Sequence, residues 1–379
     1  MTKVKFYDLK KINKKHEKSL VRGFKNVLKS GFYINGKEVD NFEKNFAKYC
    51  DVKFCIGVGN GLDGIFLILK ALNIGPGDEV IVPSNTYIAT WLAVTHVGAK
   101  IVPVEPDIFS FNIDPNKIAK KISSKTKAII VVHLYGQIAD MDPILKIASK
   151  YNLRVIEDAA HAFGTSYKNN RIGSFGDISC FSFDGIKNIT SGEGGCIVTD
   201  DIEIINKVRD ARLLGVEKDT QKRYSGERSW NLKVSSQGYR YHMSNIMASI
   251  GIVQLDKFHE LSKKRQSLAK YYDKLLREIN YIKRINHNYD HVVPHIYTIR
   301  IQGTNKRDSI RENLLKKGIE TGVHYFPNHH LDFYINTAKK PLLITDRIYS
   351  ELITLPLHPD LTEAEIDFIV HELIEEINK

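Results

Sequence analysis

Lys187 lies in a setting that a solvated surface lysine does not need. The run Ser179-Cys-Phe-Ser-Phe-Asp-Gly-Ile-Lys187-Asn-Ile-Thr-Ser-Gly-Glu-Gly-Gly195 puts an apolar strand before it and a glycine-rich turn after it. Most lysines are hydrated surface charges, and Gly185, Ile186 and Ile189 offer such a charge nothing. A lysine partly withdrawn from water has a lowered pKa and can act as a nucleophilic amine, the group that Schiff-base chemistry requires. Upstream, Val155-Ile-Glu-Asp158-Ala-Ala-His161 ends an apolar strand in two acids, followed by small residues and a histidine. In open α/β sheets ligands sit beyond the carboxyl ends of strands, where Asp158 can hold a positive charge such as a protonated ring nitrogen. Taken alone, the same acid reads equally as a turn or cap residue. Further upstream, Gly59-Asn-Gly-Leu-Asp-Gly64 follows a strand and opens a helix. The spacing matches a dinucleotide fingerprint, but Asp78 and Glu79 precede the next strand, whereas the ribose-binding acid should follow it. What survives is a helix N-terminus whose N–H groups and dipole favour a phosphate, with a plain tight turn as the alternative.

These residues need a frame to converge. Short apolar runs at Cys55–Val58, Glu79–Val82, Lys100–Val104, Ala128–His133 and Arg154–Glu157 alternate with helical stretches at 63–73, 86–97 and 140–151. The alternation predicts an α/β fold, a mostly parallel sheet with helices on both faces. Strands at 177–183 and 194–198 follow closely with little helix between them, which breaks the alternation around Lys187. Before the sheet, residues 14–35 read as an amphipathic helix ending near Gly31. Residues 38–50 read as another, with Val39, Phe42, Phe46 and Tyr49 on one face. After about residue 243 a long helix through Leu255 to Leu276 leads into a strand at 292–301, a helix at 307–317, a histidine-rich turn at 324–330 and a helix at 362–378. The expected division is a large domain over 1–250 and a smaller α+β domain over 251–379.

Four stretches carry a resemblance to a known family: Asn60-Gly-Leu-Asp63; Gly75-Pro-Gly-Asp-Glu-Val-Ile-Val-Pro-Ser-Asn-Thr-Tyr87; Glu157-Asp-Ala-Ala-His161; and Ser182-Phe-Asp-Gly-Ile-Lys-Asn188 with Gly192-Glu-Gly-Gly195. The chain resembles the DegT/DnrJ family of sugar aminotransferases, within the fold-type I enzymes that use pyridoxal 5′-phosphate (PLP). The resemblance runs from Phe6-Tyr-Asp-Leu9 to Leu355-Pro-Leu-His-Pro359. It implies a seven-stranded sheet in the large domain and a Schiff base between Lys187 and PLP. It further implies Asp158 on the pyridinium nitrogen, Tyr87 stacked on the ring and His161 near the phenolic oxygen. Gly61, Leu62 and Ser182 would hold the phosphate. The stretch Gly238-Tyr-Arg-Tyr-His-Met-Ser-Asn245 departs from the family's usual Gly-Tyr-Asn-Tyr-Arg-Met. Arg240 stands where an asparagine reaches the partner subunit's phosphate, and a homodimer with shared active sites is implied. Tyr135, Tyr325, His329 and His330 are expected substrate contacts.

The implied reaction takes an amino group from L-glutamate, releasing 2-oxoglutarate, and delivers it to a nucleotide-linked keto sugar. His133-Leu-Tyr-Gly-Gln-Ile-Ala-Asp-Met-Asp142 and Val104-Glu-Pro-Asp107 resemble members acting on dTDP-3-keto-6-deoxyhexoses. Amination at C4 of a UDP-, GDP- or dTDP-linked 4-keto sugar is the alternative. A sugar dehydratase of the same fold would carry histidine in place of Lys187. A non-catalytic regulator would be expected to have lost site residues that are present here.

Bulk properties fit this reading. The 379 residues are 42% hydrophobic and 26% charged, with a net charge of +11, an ordinary composition for a globular protein. The lysines are scattered and accompany no nucleic-acid-binding signature, so the basic excess points to an anionic small substrate. No run approaches the roughly 18 apolar residues of a membrane helix, and Met1-Thr-Lys-Val-Lys-Phe-Tyr-Asp8 has no apolar signal core. A cytoplasmic protein is expected. Cys50, Cys55, Cys180 and Cys196 form no CxxC pair and are expected to be reduced and buried. The spacing of His324, His329 and His330 matches no zinc pattern, and no acid or cysteine cluster adjoins them in sequence, so no metal is expected.

Overall fold

The computed structural model describes residues 3–216, 234, 236–303, 305–338 and 340–379. Its main sheet is built from β1 (Phe54–Val58), β2 (Glu79–Pro83), β3 (Lys100–Val104), β4 (Thr126–Val132), β5 (Arg154–Asp158), β8 (Ile178–Ser182) and β9 (Gly195–Thr199). Between β5 and β8 lies a small ribbon of β6 (Ser166–Tyr167) and β7 (Asn170–Arg171). The seven strands run in the order β1-β9-β8-β5-β4-β2-β3. β3, β2, β4, β5 and β8 are mutually parallel, while β9 runs antiparallel to both β8 and β1. β1 therefore points the same way as the parallel set, and the carboxyl ends of six strands share one edge.

The residues explain this topology. β2, β4 and β5 are almost wholly buried, as unbroken runs of Val, Ile and Ala should be when helices cover both sheet faces. A parallel neighbour needs a long crossover, whereas an antiparallel one needs only a loop. The helix-poor connection after Ser182 thus reverses the chain into β9 and places Lys187 in that loop. Helix Lys37–Cys50 buries Val39, Phe42, Phe46 and Cys50, the apolar stripe of a 3.6-residue period. The predicted helix over 14–35 corresponds to the second of two helices, Leu9–Lys14 and Glu17–Ser30. The second ends at Gly31, whose φ of 71° suits a left-handed cap. All four cysteines are free and buried.

A 32-residue helix, Asn245–Leu276, starts at Ser244, whose side chain accepts from the Met247 N–H, and runs on to a second, antiparallel sheet. There β10 (Ile282–Arg284), β11 (Tyr297–Ile301) and β12 (Leu352–Leu355) pair in that order. Helices Arg307–Lys316 and Glu363–Ile377 close a core of Tyr272, Leu276, Ile299, Leu314, Leu355, Leu373 and the N-terminal Val4. The predicted strand over 292–301 starts only at Tyr297. Pro294 has no N–H to give a ladder, and the neighbouring N–H groups go elsewhere, Val293 to Thr165 Oγ1 and His295 to the Tyr135 carbonyl. Helix Leu343–Glu351 and β12 had no counterpart in the sequence reading. Among the described residues no helix is long and apolar enough to cross a membrane.

Candidate active site

A cavity of about 680 Å³ opens at the carboxyl edge of the main sheet. Gly61, Leu62, Tyr87, Asp158, His161, Ser182, Lys187 and Tyr325 all line it. Residues from the ends of β4, β5 and β8, from the helix start after β1 and from neighbouring loops thus converge on one space, as the carboxyl-edge rule requires.

The anion-binding corner forms where β1 ends. Asn60 is extended, and its side chain accepts the Asp63 N–H at 2.9 Å, capping helix Gly61–Ala71. First-turn N–H groups have no partner within the helix, so those of Gly61 and Leu62 are available to an anion. Ser182, at the end of β8, packs so closely that a Cβ on Gly61 would lie 3.2 Å from its own Cβ. The Cys180 thiol donates to the Gly61 carbonyl at 3.3 Å. β9 also presses on the turn, because a Cβ on Gly195 would sit 2.7 Å from the Asn60 carbonyl carbon and oxygen. The glycines are therefore the condition for three strands to meet at one corner.

Asp158 ends β5, buried, with Oδ2 accepting from Thr90 Oγ1 at 2.8 Å and Oδ1 from the Ala160 N–H at 3.2 Å. Burial raises its pKa, opposed by Thr90, Ala160 and Lys187. A cationic N–H in the cavity would restore the charged form. Beside it, Glu157 accepts from His133 Nε2 at 2.9 Å, Ser179 Oγ at 2.8 Å and the N–H groups of Phe175 and Gly176 at 3.1 and 2.7 Å. The Ala139 N–H donates to His133 Nδ1, so the His133 proton sits on Nε2 and faces Glu157. This buried network pins the end of β5.

Lys187 is held by its loop: its N–H donates to the Asp184 carbonyl, and the Asp184 side chain accepts the Ile186 N–H. Next to it, Asn188 ties the loop to the Phe163 carbonyl at 3.0 Å. Burial lowers the Lys187 pKa against the opposing pull of Asp184, Asp158 and Glu193. A desolvated amine beside carboxylates is easily deprotonated yet can still take a proton back.

His161 is buried, and its imidazole is held well below its ordinary pKa by burial and by Lys187. The Tyr135 N–H approaches its Nδ1 at 3.4 Å, and Nε2 lies 2.9 Å from the Tyr325 hydroxyl. With Nδ1 accepting, Nε2 carries the ring proton. Tyr325 packs against Tyr87, ring centroids 5.1 Å apart. Tyr87 itself is about half exposed at the mouth (52%).

Three sequence-predicted residues do not line the cavity, and a fourth stands aside. Tyr135 is fully buried behind His161, its hydroxyl donating to the His324 carbonyl. Its contribution to the wall is indirect. His329 and His330 lie away from it, both hydrogen-bonded to Asp346. The expectation that no acid accompanies these histidines is thereby corrected, because the fold brings Asp346 in from the next helix. Arg240 is exposed and pairs by backbone with Leu213. Its segment is nonetheless anchored to the anion corner, since the Gly59 N–H donates to the Tyr241 carbonyl at 2.8 Å. Sequence reasoning missed Thr90, Asp184, Glu193 and His324 on or beside the wall. It also missed Arg212, whose Nη1 donates to Glu43 Oε1 at 2.6 Å and to the Gly57 carbonyl at 2.5 Å. The Thr86-Tyr-Ile-Ala-Thr90 spacing, one helical turn, was the one local signal for Thr90.

This site fits PLP: a capped helix start for the phosphate, a buried acid for a ring N–H and a desolvated lysine, all on one cavity. Comparison with known proteins agrees with that fit. The chain is 40% identical over 370 residues to the dTDP-3-amino-3,6-dideoxy-alpha-D-galactopyranose transaminase of Aneurinibacillus thermoaerophilus, covering 97% of this chain and 98% of that one. It is 42% identical over 351 residues to the GDP-perosamine synthase of Caulobacter vibrioides, covering 89% and 90%. The crystal structure of ntda from Bacillus subtilis with bound cofactor PMP superposes with a TM-score of 0.91 at 31% identity, covering 100% of this chain and 86% of that one. Residues 14–374 match the family model, and the chain belongs to the DegT/DnrJ/EryC1/StrS aminotransferase family.

Proposed function

We propose that this chain transfers the amino group of L-glutamate to C3 of a dTDP-linked 3-keto-6-deoxyhexose. The coarser statement is firm: it is a PLP-dependent aminotransferase acting on a nucleotide-linked deoxyhexose. The observation that carries the assignment of residues is that desolvated Lys187 shares a cavity with buried Asp158 and with the helix start at Gly61.

In this reading Gly61 and Leu62 N–H groups and the Ser182 hydroxyl hold the phosphate. Asp158 accepts the ring N–H, with Thr90 and Ala160 fixing the carboxylate. Tyr87 would pack on the ring, and His161, whose Nε2 meets the Tyr325 hydroxyl, would lie near the phenolic oxygen. Bound here, PLP supplies an electron sink for negative charge on the substrate carbon. Lys187 would anchor the cofactor covalently, and its desolvated amine, when free, would serve as the base and acid that moves a proton at the substrate carbon. Tyr325 stands beside His161 and Tyr87 on the cavity wall, where it would meet substrate, while His329 and His330 lie away from the cavity on Asp346.

The preference for C3 and for dTDP rests on the likeness to the Aneurinibacillus transaminase. The likeness to the GDP-perosamine synthase favours a second reading, a GDP-linked sugar, with amination at C4. Two chains are proposed to share their active sites. Arg240 is exposed beside the anion corner, where it can reach a partner's phosphate, and Val21, Phe24, Leu28, Phe32 and Tyr33 form an exposed apolar face for that partner.

Two experiments test the proposal. Borohydride treatment of the yellow holoenzyme should leave the cofactor bonded to the peptide containing Lys187; label on another residue refutes the anchor. Incubation with glutamate and a panel of dTDP-, UDP- and GDP-linked 3-keto and 4-keto sugars, read by mass, should yield the dTDP-3-amino sugar fastest. A faster 4-amino product refutes the C3 assignment.

A further inference from the structure

A second set of ligand-type side chains lies outside the cavity. His329 and His330 occupy the turn Asn328–His330, and Asp346 stands in the first turn of helix Leu343–Glu351. Both Nε2 atoms reach the same carboxylate oxygen, Asp346 Oδ1, at 2.9 and 2.8 Å. The two rings lie 4.2 Å apart at 45°, and the three ligand atoms all fall within 4.8 Å of one another. Adjacent side chains in a turn commonly diverge; here they converge on one point, from which a single ion could bind both.

The scaffold holds this convergence in place from both sides. Asn328, next to His329, donates to the Thr86 carbonyl at 3.1 Å. Thr345, next to Asp346, meets Ser84 Oγ at 2.6 Å, and the Ile344 N–H donates to Glu105 at 2.6 Å. Arg347, the cation adjoining Asp346, is turned to Glu351, so it does not neutralise the carboxylate. His329 is buried while His330 is exposed, which gives the cluster a closed back and a solvent entrance. Two imidazoles and a carboxylate are the donor set of zinc and neighbouring late first-row divalent ions.

We propose that His329, His330 and Asp346 bind one zinc-class divalent ion through the two Nε2 atoms and the Asp346 carboxylate, with water completing the shell. Each imidazole then carries its proton on Nδ1. The ion joins turn 328–330 to helix 343–351, and both elements brace the Ser84–Tyr87 segment that walls the cavity. It is thus a clip on the wall, with no part in moving electrons or protons at Lys187. The inference does not depend on which sugar is aminated.

Holoenzyme dialysed against chelator, then titrated with Zn²⁺ in competition with a chromophoric chelator and separately with Co²⁺ by visible absorption, tests this. The expected result is saturable binding of one ion per chain and a raised melting temperature. His330→Ala and Asp346→Asn should each weaken binding about a hundredfold, whereas His371→Ala, on helix Glu363–Ile377, should not. Retention of the cofactor's visible band in each variant reports an intact fold. Absence of saturable binding overturns the proposal, and so does one-ion binding that survives both substitutions.

Discussion

Replacing Gly195 with alanine tests the geometry of the anion corner without touching a chemical group. The new Cβ would lie 2.7 Å from the Asn60 carbonyl carbon, 2.7 Å from its oxygen and 2.8 Å from the Phe181 oxygen, where ordinary contact begins at 3.4 Å. The shortfall against Asn60 is 3.4 − 2.7 = 0.7 Å. Every atom in the way is backbone, so no side chain can rotate to relieve it. Overpacking of this kind costs about 1–3 kcal/mol. If the turn yields, the N–H groups of Gly61 and Leu62 move with it. A shift of that size stretches a phosphate hydrogen bond of about 2.9 Å past the useful limit of about 3.5 Å. At about 1.4 kcal/mol per decade, loss of such charge-assisted bonds should weaken cofactor binding about 10- to 100-fold. The assay is titration of stripped enzyme with PLP, followed by visible absorption, beside a thermal melt. Gly185→Ala is the control, because its Cβ would meet only the Leu9 Cδ1 tip at 3.2 Å, and it should bind within about twofold of the parent. Wild-type affinity and melting temperature in Gly195→Ala, or equal damage from Gly185→Ala, would refute the reasoning.

The other expectations address the groups around the cavity. Lys187→Ala should lose borohydride-stable attachment of the cofactor and at least about a thousandfold in kcat, measured by coupled assay of 2-oxoglutarate. Thr90→Ala removes one of the two hydrogen bonds on Asp158 and should lower kcat about tenfold with little change in KM, the cost of one charge-assisted bond; an unchanged kcat would show that Ala160 alone positions the carboxylate. Burial pushes the Glu157 carboxyl up, but the bonds it accepts from His133, Gly176 and Ser179 outweigh this and hold it below its ordinary pKa of 4.5. Its folded pKa is depressed, so the stability it lends is complete above about pH 4.5 and disappears as pH falls through the lower folded value. Acid unfolding followed by circular dichroism should therefore move to higher pH in His133→Phe, and a coincident curve would count against the network.

What the sequence revealed of this site divides along a physical line. Lys187, Asp158 and the Gly59–Gly64 turn were legible because their signals are local. A strand end, a helix start and a glycine-rich loop are each written in a few consecutive residues, and the sheet puts all three at one edge. The closely spaced strands around Lys187 likewise marked the break in alternation at which β9 turns out to run antiparallel. Side chains that act through a partner far along the chain left no comparable mark. Thr90 meets Asp158, and Arg212 meets Glu43 and the end of β1, only after the sheet is folded. His329 and His330 looked solitary because their acid sits in a helix, Leu343–Glu351, that the sequence reading did not contain. β12 was lost for the same reason: short, and recognisable only by its pairing with β11. Tyr135 shows the converse: its position after β4 suggested a substrate contact. Its side chain instead goes into the core, and its N–H and hydroxyl are taken by His161 and the His324 carbonyl. Position along the chain locates the edge where chemistry can happen. Whether a given side chain faces the substrate or supports one that does is settled by the contacts behind the wall. In this enzyme those contacts run through His161, so a change at Tyr135 should act on the orientation of that imidazole before it acts on any substrate.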